Sequence, residues 1–244
     1  VVEEIIAQFE TTENPYGKAA LLTALRQAPA AHLFVQEQLD SSVPVIKSSA
    51  AAALVSMNRH RLFQPSMQQA FIDAYRKAMQ TGDAAVIGTV AAALMNPSLN
   101  YKKLITDYQF LYEAKSNLSL PRDNEALQPL EASIAYFENR ELEKPVANEF
   151  NHPIDWAFVK TIPRDQQVRI QTSKGDIIIQ LFVEEAPGSV ANFLQLTNSG
   201  YFNGKNFHRV VPNFVIQGGC NRGDGWGSED YSIRSEFSMR KYKE

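Results

Sequence analysis

The sequence has one cysteine in 244 residues, no stripe of basic side chains, and no apolar run of the roughly eighteen residues that a membrane-spanning helix needs. A single cysteine excludes an internal disulfide framework and a zinc site built from several cysteines, although it leaves open a bond to a cysteine outside the chain. The net charge of -3 argues against a nucleic-acid-binding protein, because neutralising phosphates takes clustered lysine and arginine. The remaining composition, 44% hydrophobic and 21% charged, is that of a globular protein with one large domain or two modest ones.

Alanine and glycine are unevenly distributed along the chain. Residues 1–150 hold 24 alanines and 3 glycines, whereas residues 151–244 hold 3 alanines and 9 glycines. Because alanine favours helices and glycine favours turns between strands, this change predicts a helical region followed by a β-rich one. The chain starts at Val1 with no charged-then-apolar leader, so we expect it to be a fragment of a longer protein.

The first region carries apolar residues at helical spacing between prolines and small polar residues. An offset of 40 places Ala51–Leu54 on Ala91–Leu94 and brings Ile134 into register with Leu94, which is the signature of a repeat. The pattern resembles HEAT-type repeats, in which small residues let paired helices stack closely; a non-repetitive helical bundle is the alternative. Asp83 and Asn124 are plausible helix N-caps. The predicted helices are 2–11, 15–27, 30–40, 43–58, 65–81, 83–96, 99–116 and 123–138.

The hydrophobic period changes in the second region. Alternating residues from Val168 to Thr172 and a β-branched run from Asp176 to Phe182 flank a Lys-Gly turn, which predicts a hairpin. Pro187 opens an amphipathic helix. Two further short strands, 207–211 and 214–217, lead into a glycine-rich loop, residues 218–227. The predicted order is strand, strand, helix, strand, strand.

Residues 207–219, FHRVVPNFVIQGG, resemble the central signature of the cyclophilin family of peptidyl-prolyl isomerases. Residues 186–210 are similar to the helix and entry strand of the family, and residues 223–237 are similar to the loop that follows in bacterial members. The family has a closed eight-stranded antiparallel barrel with a proline pocket on its outer face, and the resemblance covers about the first half of such a domain.

The predicted fold is therefore multi-domain, α and β. A HEAT-like helical solenoid over residues 1–140 is followed by a linker packed on the domains, residues 141–166, in which prolines such as Pro145 interrupt any period. Residues 167–244 form a partial, truncated cyclophilin-like β-barrel. Half a barrel leaves an unpaired strand edge and an uncovered apolar face, so we expect this polypeptide alone to be a weak or inactive isomerase.

The resemblance assigns site residues one by one. Arg209 matches the catalytic arginine of the family, and Gln217 matches the glutamine that binds the substrate backbone. Phe214 and Val215 match the floor of the proline pocket, with valine where methionine is often found, and Gly225 corresponds to a loop glycine that borders the substrate groove. The chemistry fits, because an arginine can donate to a prolyl amide as it twists, and rotation breaks no bond and needs no cofactor or metal.

Other residues near this motif have structural rather than catalytic or phosphate-binding interpretations. His208 is a structural neighbour of Arg209 rather than a general base, because isomerisation moves no proton. The loop glycines do not open a helix after a strand, which argues against a phosphate-binding loop. Cys220 stands where the family usually has an aspartate; it is either a small buried side chain or, by hypothesis, the partner of a cysteine beyond this chain, which would suit a periplasmic site in a bacterium.

The sequence thus predicts a folding enzyme that isomerises X-Pro bonds in proline-containing polypeptide clients. Its helical repeats would recruit clients or bind a protein partner, with no nucleic acid and no membrane span involved. The alternative is a noncatalytic helical-repeat scaffold that carries a cyclophilin-like peptide-binding module.

Overall fold

A computed structural model describes residues 1–144 and 150–238. Their contacts divide the chain into two compact units. The first unit comprises Val1–Val146 together with Asn206–Ser228, and the second comprises Ala147–Lys205 together with Glu229–Glu244. The units follow three-dimensional contacts, and the division of the sequence into residues 1–140, 141–166 and 167–244 stays a prediction.

The first unit begins with a series of α-helices. Their bounds are α1 Val2–Thr11, α2 Pro15–Leu25, α3 His32–Glu37, α4 Pro44–Asn58, α5 Gln68–Gln80, α6 Ala84–Leu94, α7 Tyr101–Leu104, α8 Gln109–Ser116 and α9 Asn124–Glu138. Short 3-10 helices cover Pro29–Ala31, Gln38–Asp40, Pro65–Met67 and Pro97–Leu99.

These helices pack as successive pairs. Helix α1 contacts α2, α3 contacts α4, α5 contacts α6, and α8 contacts α9, while the second members contact one another in the order α2, α4, α6, α9. Helices α4, α6 and α9 begin at residues 44, 84 and 124, so the offset found in the sequence recurs in the structure. The arrangement is consistent with a helical repeat, and its assignment to the HEAT type stays a prediction.

Three predicted helices are interrupted. The segments predicted at 30–40 and 65–81 each begin as a 3-10 turn at a proline, and the first also ends as one. The helix predicted at 99–116 is wrong as a single element, because Asn100 adopts a left-handed conformation with φ of 55° and the chain becomes extended at Ile105. Asp107 then starts α8 by accepting a hydrogen bond from the Gln109 amide at 3.0 Å.

One of the two predicted N-caps is confirmed. The Asp83 carboxylate accepts hydrogen bonds from the Ala85 and Val86 amides at 3.0 and 3.2 Å, so it satisfies two free donors at the start of α6. The prediction for Asn124 is wrong, because Asn124 is the first helical residue of α9 and Asp123 holds the cap position without a side-chain cap bond.

The main core lies among the helices. Leu22, Leu54, Ile87, Leu111 and Ile134, one from each of five helices, are fully buried. Ala50 and Ala51 of α4 and Ala85, Ala91 and Ala93 of α6 are also fully buried, which allows the helices to approach closely.

The strands form two separate antiparallel pairs. Strands β1, Gln167–Thr172, and β2, Gly175–Gln180, pair with each other, and strands β3, Phe207–Val211, and β4, Val215–Gly218, form the second sheet. Helix α11, Pro187–Asn198, lies between the pairs in sequence, which confirms the predicted order of elements. The barrel is not closed within the described residues, where each sheet has two strands.

The predicted linker is structured where it is described. It contains the short helix α10, Trp156–Val159, whose Phe158 and Val159 pack with Ile162 against the small core of the second unit. This core consists of Val183, Val190 and Leu194. These apolar residues therefore pack within that unit, and a linker that packs on the domains stays a prediction. Pro145 lies outside the described residues.

Within residues 1–144 and 150–238, no helix combines the length and the apolar character required to traverse a bilayer.

Candidate functional site

The β3–β4 hairpin brings two of the predicted site residues together. Arg209 pairs directly with Gln217 across the two strands. Cross-strand partners project from the same face of a sheet, and the Arg209 guanidinium donates to the Gln217 side-chain oxygen at 3.5 Å. The hairpin therefore presents a cationic fork beside an amide on one surface.

Arg209 is solvent-exposed, and none of the ion pairs formed among the described residues involves it. Its five N–H donors are held only by the weak contact with Gln217, so a ligand can reach them. A guanidinium keeps its charge throughout the accessible pH range, which makes the fork a permanent donor.

The two residues predicted as the pocket floor lie at the turn of the hairpin. Phe214 belongs to the connecting turn rather than to β4, where the sequence pattern had placed it, and its ring is 77% exposed. The turn is possible because Asn213 adopts a left-handed φ of 58°. Val215 begins β4 opposite Val211. An enclosed proline pocket stays a prediction, because this hairpin alone does not wall one off.

Gly225 lies beside His208, at the irregularity of β3 between Phe207 and Arg209. A side chain built on this glycine would meet the His208 ring at 3.4 Å, and its φ of 91° is one that other residues rarely adopt. Both ring nitrogens of His208 are shielded from solvent and have no hydrogen-bond partner among the described residues. The predicted groove-bordering glycine thus lies beside the immediate neighbour of Arg209.

Cys220 anchors the glycine-rich loop internally. Its sulfur accepts hydrogen bonds from the amides of Gly225 and Gly227, each at 3.3 Å. Burial raises the pKa of the Cys220 thiol, but backbone N–H groups of the loop outweigh that effect and the net pKa is lowered. Pairing with a cysteine beyond the chain stays a prediction.

The loop also contains a charged cluster that the sequence analysis missed. Arg222 binds Asp83, the confirmed cap of α6, and Asp224 of the loop itself. Gly88 was a sequence signal for this packing, because an isolated glycine inside a helix often marks a place where another part of the chain comes close to the helix backbone. In the structure the Trp226 ring occupies that place. The identity of the residue that approaches could not be read from the sequence.

The described residues contain no group of three or more histidine, cysteine, aspartate or glutamate side chains placed to bind a metal ion.

Comparison with known proteins finds similarity in the segment that contains this hairpin. Residues 167–244 match the family model of the cyclophilin type peptidyl-prolyl cis-trans isomerase/CLD. A peptidyl-prolyl cis-trans isomerase of Helicobacter pylori strain J99 is 48% identical over 74 residues, which are 30% of this chain and 46% of that protein. Peptidyl-prolyl cis-trans isomerase B of Bacillus subtilis is 52% identical over 60 residues, 25% of this chain and 42% of that protein.

A eukaryotic relative has a different name. The spliceosome-associated protein CWC27 homolog of Danio rerio is 43% identical over 86 residues, 34% of this chain and 18% of that protein. No solved structure matches the chain.

These matches support the resemblance found in the sequence. Residues 167–244 carry cyclophilin-type isomerase sequence, and the region before them is helical and consistent with helical repeats. The chain spans about half the length of the bacterial isomerases that it matches.

Proposed function

We propose that the protein is a cyclophilin-type peptidyl-prolyl isomerase that rotates X-Pro bonds in polypeptide clients, with Arg209 as the catalytic donor. The observation that carries this proposal is the exposed Arg209–Gln217 pair on the β3–β4 hairpin, within a segment that matches the isomerase family. Val215, Phe214 and Gly225 complete the proposed substrate site.

The barrier to isomerisation comes from amide resonance. Rotation about an X-Pro bond costs about 18–20 kcal/mol because the C–N bond has partial double-bond character. A guanidinium that donates to the twisted amide stabilises the transition state more than either planar isomer, since the prolyl nitrogen becomes a better acceptor as conjugation is lost. Gln217, whose side-chain oxygen lies 3.5 Å from the Arg209 guanidinium, binds the neighbouring backbone of the same substrate in this proposal.

The clients are proline-containing polypeptides, and the helical region supplies a second surface to which a client or a partner protein binds. This assignment needs neither a cofactor nor a nucleic acid. Because the described strands form two open pairs, we expect weak or no turnover from residues 1–244 and higher turnover from a version extended to a full-length cyclophilin domain.

The test is a prolyl isomerisation assay on a proline peptide with the extended version. Arg209→Ala should lower kcat/KM more than about a hundredfold, the scale seen when one preorganised transition-state donor is removed. Arg169→Ala is the matched control: Arg169 is also an exposed strand arginine of the isomerase-like segment, and it lies 3.9 Å from Asp176. Arg169→Ala should keep the turnover of the wild type. Equal turnover by wild type and Arg209→Ala would overturn the proposal, and so would an equal loss of turnover in Arg209→Ala and Arg169→Ala.

A second candidate function is a noncatalytic scaffold that only binds peptides. It is favoured by the match to a relative that is named for association with the spliceosome rather than for isomerisation. In that case the extended protein would bind proline peptides without turnover, and Arg209→Ala would leave its biological function intact.

A further inference from the structure

The glycine-rich loop is attached to the helical region by a partly buried ionic cluster, in which the Arg222 side chain is 24% exposed. The Arg222 guanidinium donates to both carboxylate oxygens of Asp83, each at 2.9 Å, and to Asp224 at 2.8 Å. The Asp83 and Asp224 side chains are 9% and 2% exposed. Such charges are tolerated away from water only when their partners are in place, so the cluster specifies one position of the loop.

Every acceptor in this cluster has additional partners. Asp83 also caps α6, and Asp224 accepts a hydrogen bond from the Trp226 amide at 3.0 Å. Burial would raise the pKa of the Asp224 carboxyl, but the bonds from Arg222 and Trp226 hold it below its usual value. The cluster therefore joins the start of a helix to the inside of the loop through one arginine.

Apolar packing reinforces the attachment next to the cluster. A side-chain carbon on Gly88 would lie 2.8 Å from the Trp226 ring and 3.2 Å from the backbone of Ala126. Any larger residue at Gly88 would therefore displace either Trp226 or α9. A further hydrogen bond, from the Ser228 hydroxyl to the Arg122 carbonyl at 3.0 Å, ties the end of the loop to the segment before α9.

The other side of the same loop reaches the proposed site. Gly225 lies between the cluster residue Asp224 and the packed Trp226 in sequence, and a side chain at this position would meet the ring of His208, the neighbour of Arg209. A shift of the loop away from Asp83 would move Gly225 and change the border of the substrate groove. All these contacts lie within the first compact unit.

We propose that Arg222 is a positioning residue, through which the helical region holds the glycine-rich loop beside Arg209 and Gln217 and so sets substrate affinity. The inference rests on the proposed function and deepens it. The helical region is then part of the substrate site as well as a surface for recruitment.

The test removes the charge of Asp83 and keeps its capping role. Asp83→Asn retains a side-chain acceptor for the start of α6, because asparagine is as good an N-cap as aspartate. In the version extended to a full-length cyclophilin domain, we expect KM for a proline peptide to rise at least about fivefold with kcat unchanged, the usual scale of coupling between linked sites. Arg222→Gln should do the same, and Arg222→Lys should be intermediate because lysine keeps the charge but not the planar fork.

Asp40→Asn is the matched control. Asp40 is an acid of the helical region that is 64% exposed, and the ion pair it forms among the described residues is with Lys77 rather than with the loop. It should leave KM unchanged. Amide hydrogen exchange across residues 219–228 is a second measurement, which needs no turnover; Asp83→Asn should accelerate exchange there and Asp40→Asn should not.

The outcomes separate this inference from the function on which it rests. Unchanged KM in folded Asp83→Asn and Arg222→Gln overturns the positioning role, whether or not loop exchange is faster. If Asp83→Asn does not fold, Arg222→Gln, which leaves the cap of α6 in place, decides alone. Full turnover in Arg209→Ala overturns the proposed function, and with it the proposed effect of Arg222 on substrate affinity. In that case amide hydrogen exchange of residues 219–228 in Asp83→Asn decides whether the helical region fixes the position of the loop: unchanged exchange overturns this part of the inference as well.

Discussion

The helical region and the isomerase-like segment differ in how completely they bury their apolar residues. The helices bury large side chains such as Leu54 and Ile87 fully, whereas Ile178 of β2 is 54% exposed and Val210 of β3 is 62% exposed. A helical repeat buries its apolar face against the next repeat, so any series of neighbouring repeats has a core. An isolated two-stranded sheet cannot do this, because it needs further strands or a helix to cover it. The stability of the isomerase-like segment therefore depends on long-range partners to a greater degree.

Truncating one core leucine in each region tests this difference in burial. Leu54→Ala should lower the free energy of unfolding by about 2–5 kcal/mol, because Leu54 is fully buried and the surrounding helices cannot collapse into the cavity. Leu194→Ala, in the three-residue core of the second unit, should cost less, because that site is more open and can relax. Urea unfolding followed by circular dichroism measures both losses, and equal losses would contradict the contrast.

The helical core also contains a buried cluster of hydrogen-bonded polar side chains. The Asn58 side-chain oxygen accepts hydrogen bonds from the hydroxyls of Tyr75, at 3.1 Å, and Tyr101. Burial raises the pKa of both tyrosines, so the two hydroxyls stay protonated and act as donors. Asn58→Ala leaves these buried donors without their acceptor, and we expect a loss of about 1–3 kcal/mol in the free energy of unfolding.

The control for Asn58→Ala is Tyr75→Phe, which removes one donor and leaves the acceptor in use by Tyr101. Its loss should be smaller than that of Asn58→Ala in the same urea experiment. A larger loss for Tyr75→Phe would show that the tyrosine hydroxyl, rather than the asparagine, is the critical member of the cluster.

The same contrast explains how much could be predicted from the sequence. The forty-residue period and the Asp83 cap are local patterns, and both recur in the structure. The interruption of the helix predicted at 99–116 was missed, because the left-handed Asn100 overrides a helical pattern that continues on both sides. The pairing of Arg209 with Gln217 follows from a short hairpin, which a local motif specifies.

The Asp83–Arg222 contact joins residues 139 positions apart, and no spacing rule connects them. The same holds for Trp226 over Gly88: the glycine indicates a close approach but does not identify its partner. The part of the candidate site that could be predicted is therefore the hairpin, and the part that could not is the support that the helices give to the loop.

The smallest effect should appear in the isomerase-like segment, where a long-range contact replaces a local cap. The Glu236 carboxylate accepts hydrogen bonds from the Gly188 and Ser189 amides, at 2.9 and 2.8 Å, and so satisfies free donors at the start of α11. Glu236→Gln keeps one acceptor oxygen but loses the charge, and should lower the stability of the second unit by about 0.5–1 kcal/mol. Glu184→Gln, in an exposed ion pair with Arg164, is the matched control and should cost less.

The pH dependence of stability shows whether Glu236 stabilises the start of α11 through its charge or through packing. Burial raises the pKa of Glu236, but the two backbone hydrogen bonds outweigh it, and the folded-state pKa lies below the usual value of 4.5. A depressed carboxyl pKa means that the stabilisation is fully present above the unfolded-state pKa and is lost as the pH falls through the folded-state pKa. The difference in melting temperature between wild type and Glu236→Gln should therefore be largest near neutral pH and shrink in acid. If this difference in melting temperature stays constant between neutral pH and about pH 3, Glu236 acts through packing rather than through its charge. The stability of the isomerase-like segment would then depend less on this long-range charge than the comparison of the two regions predicts.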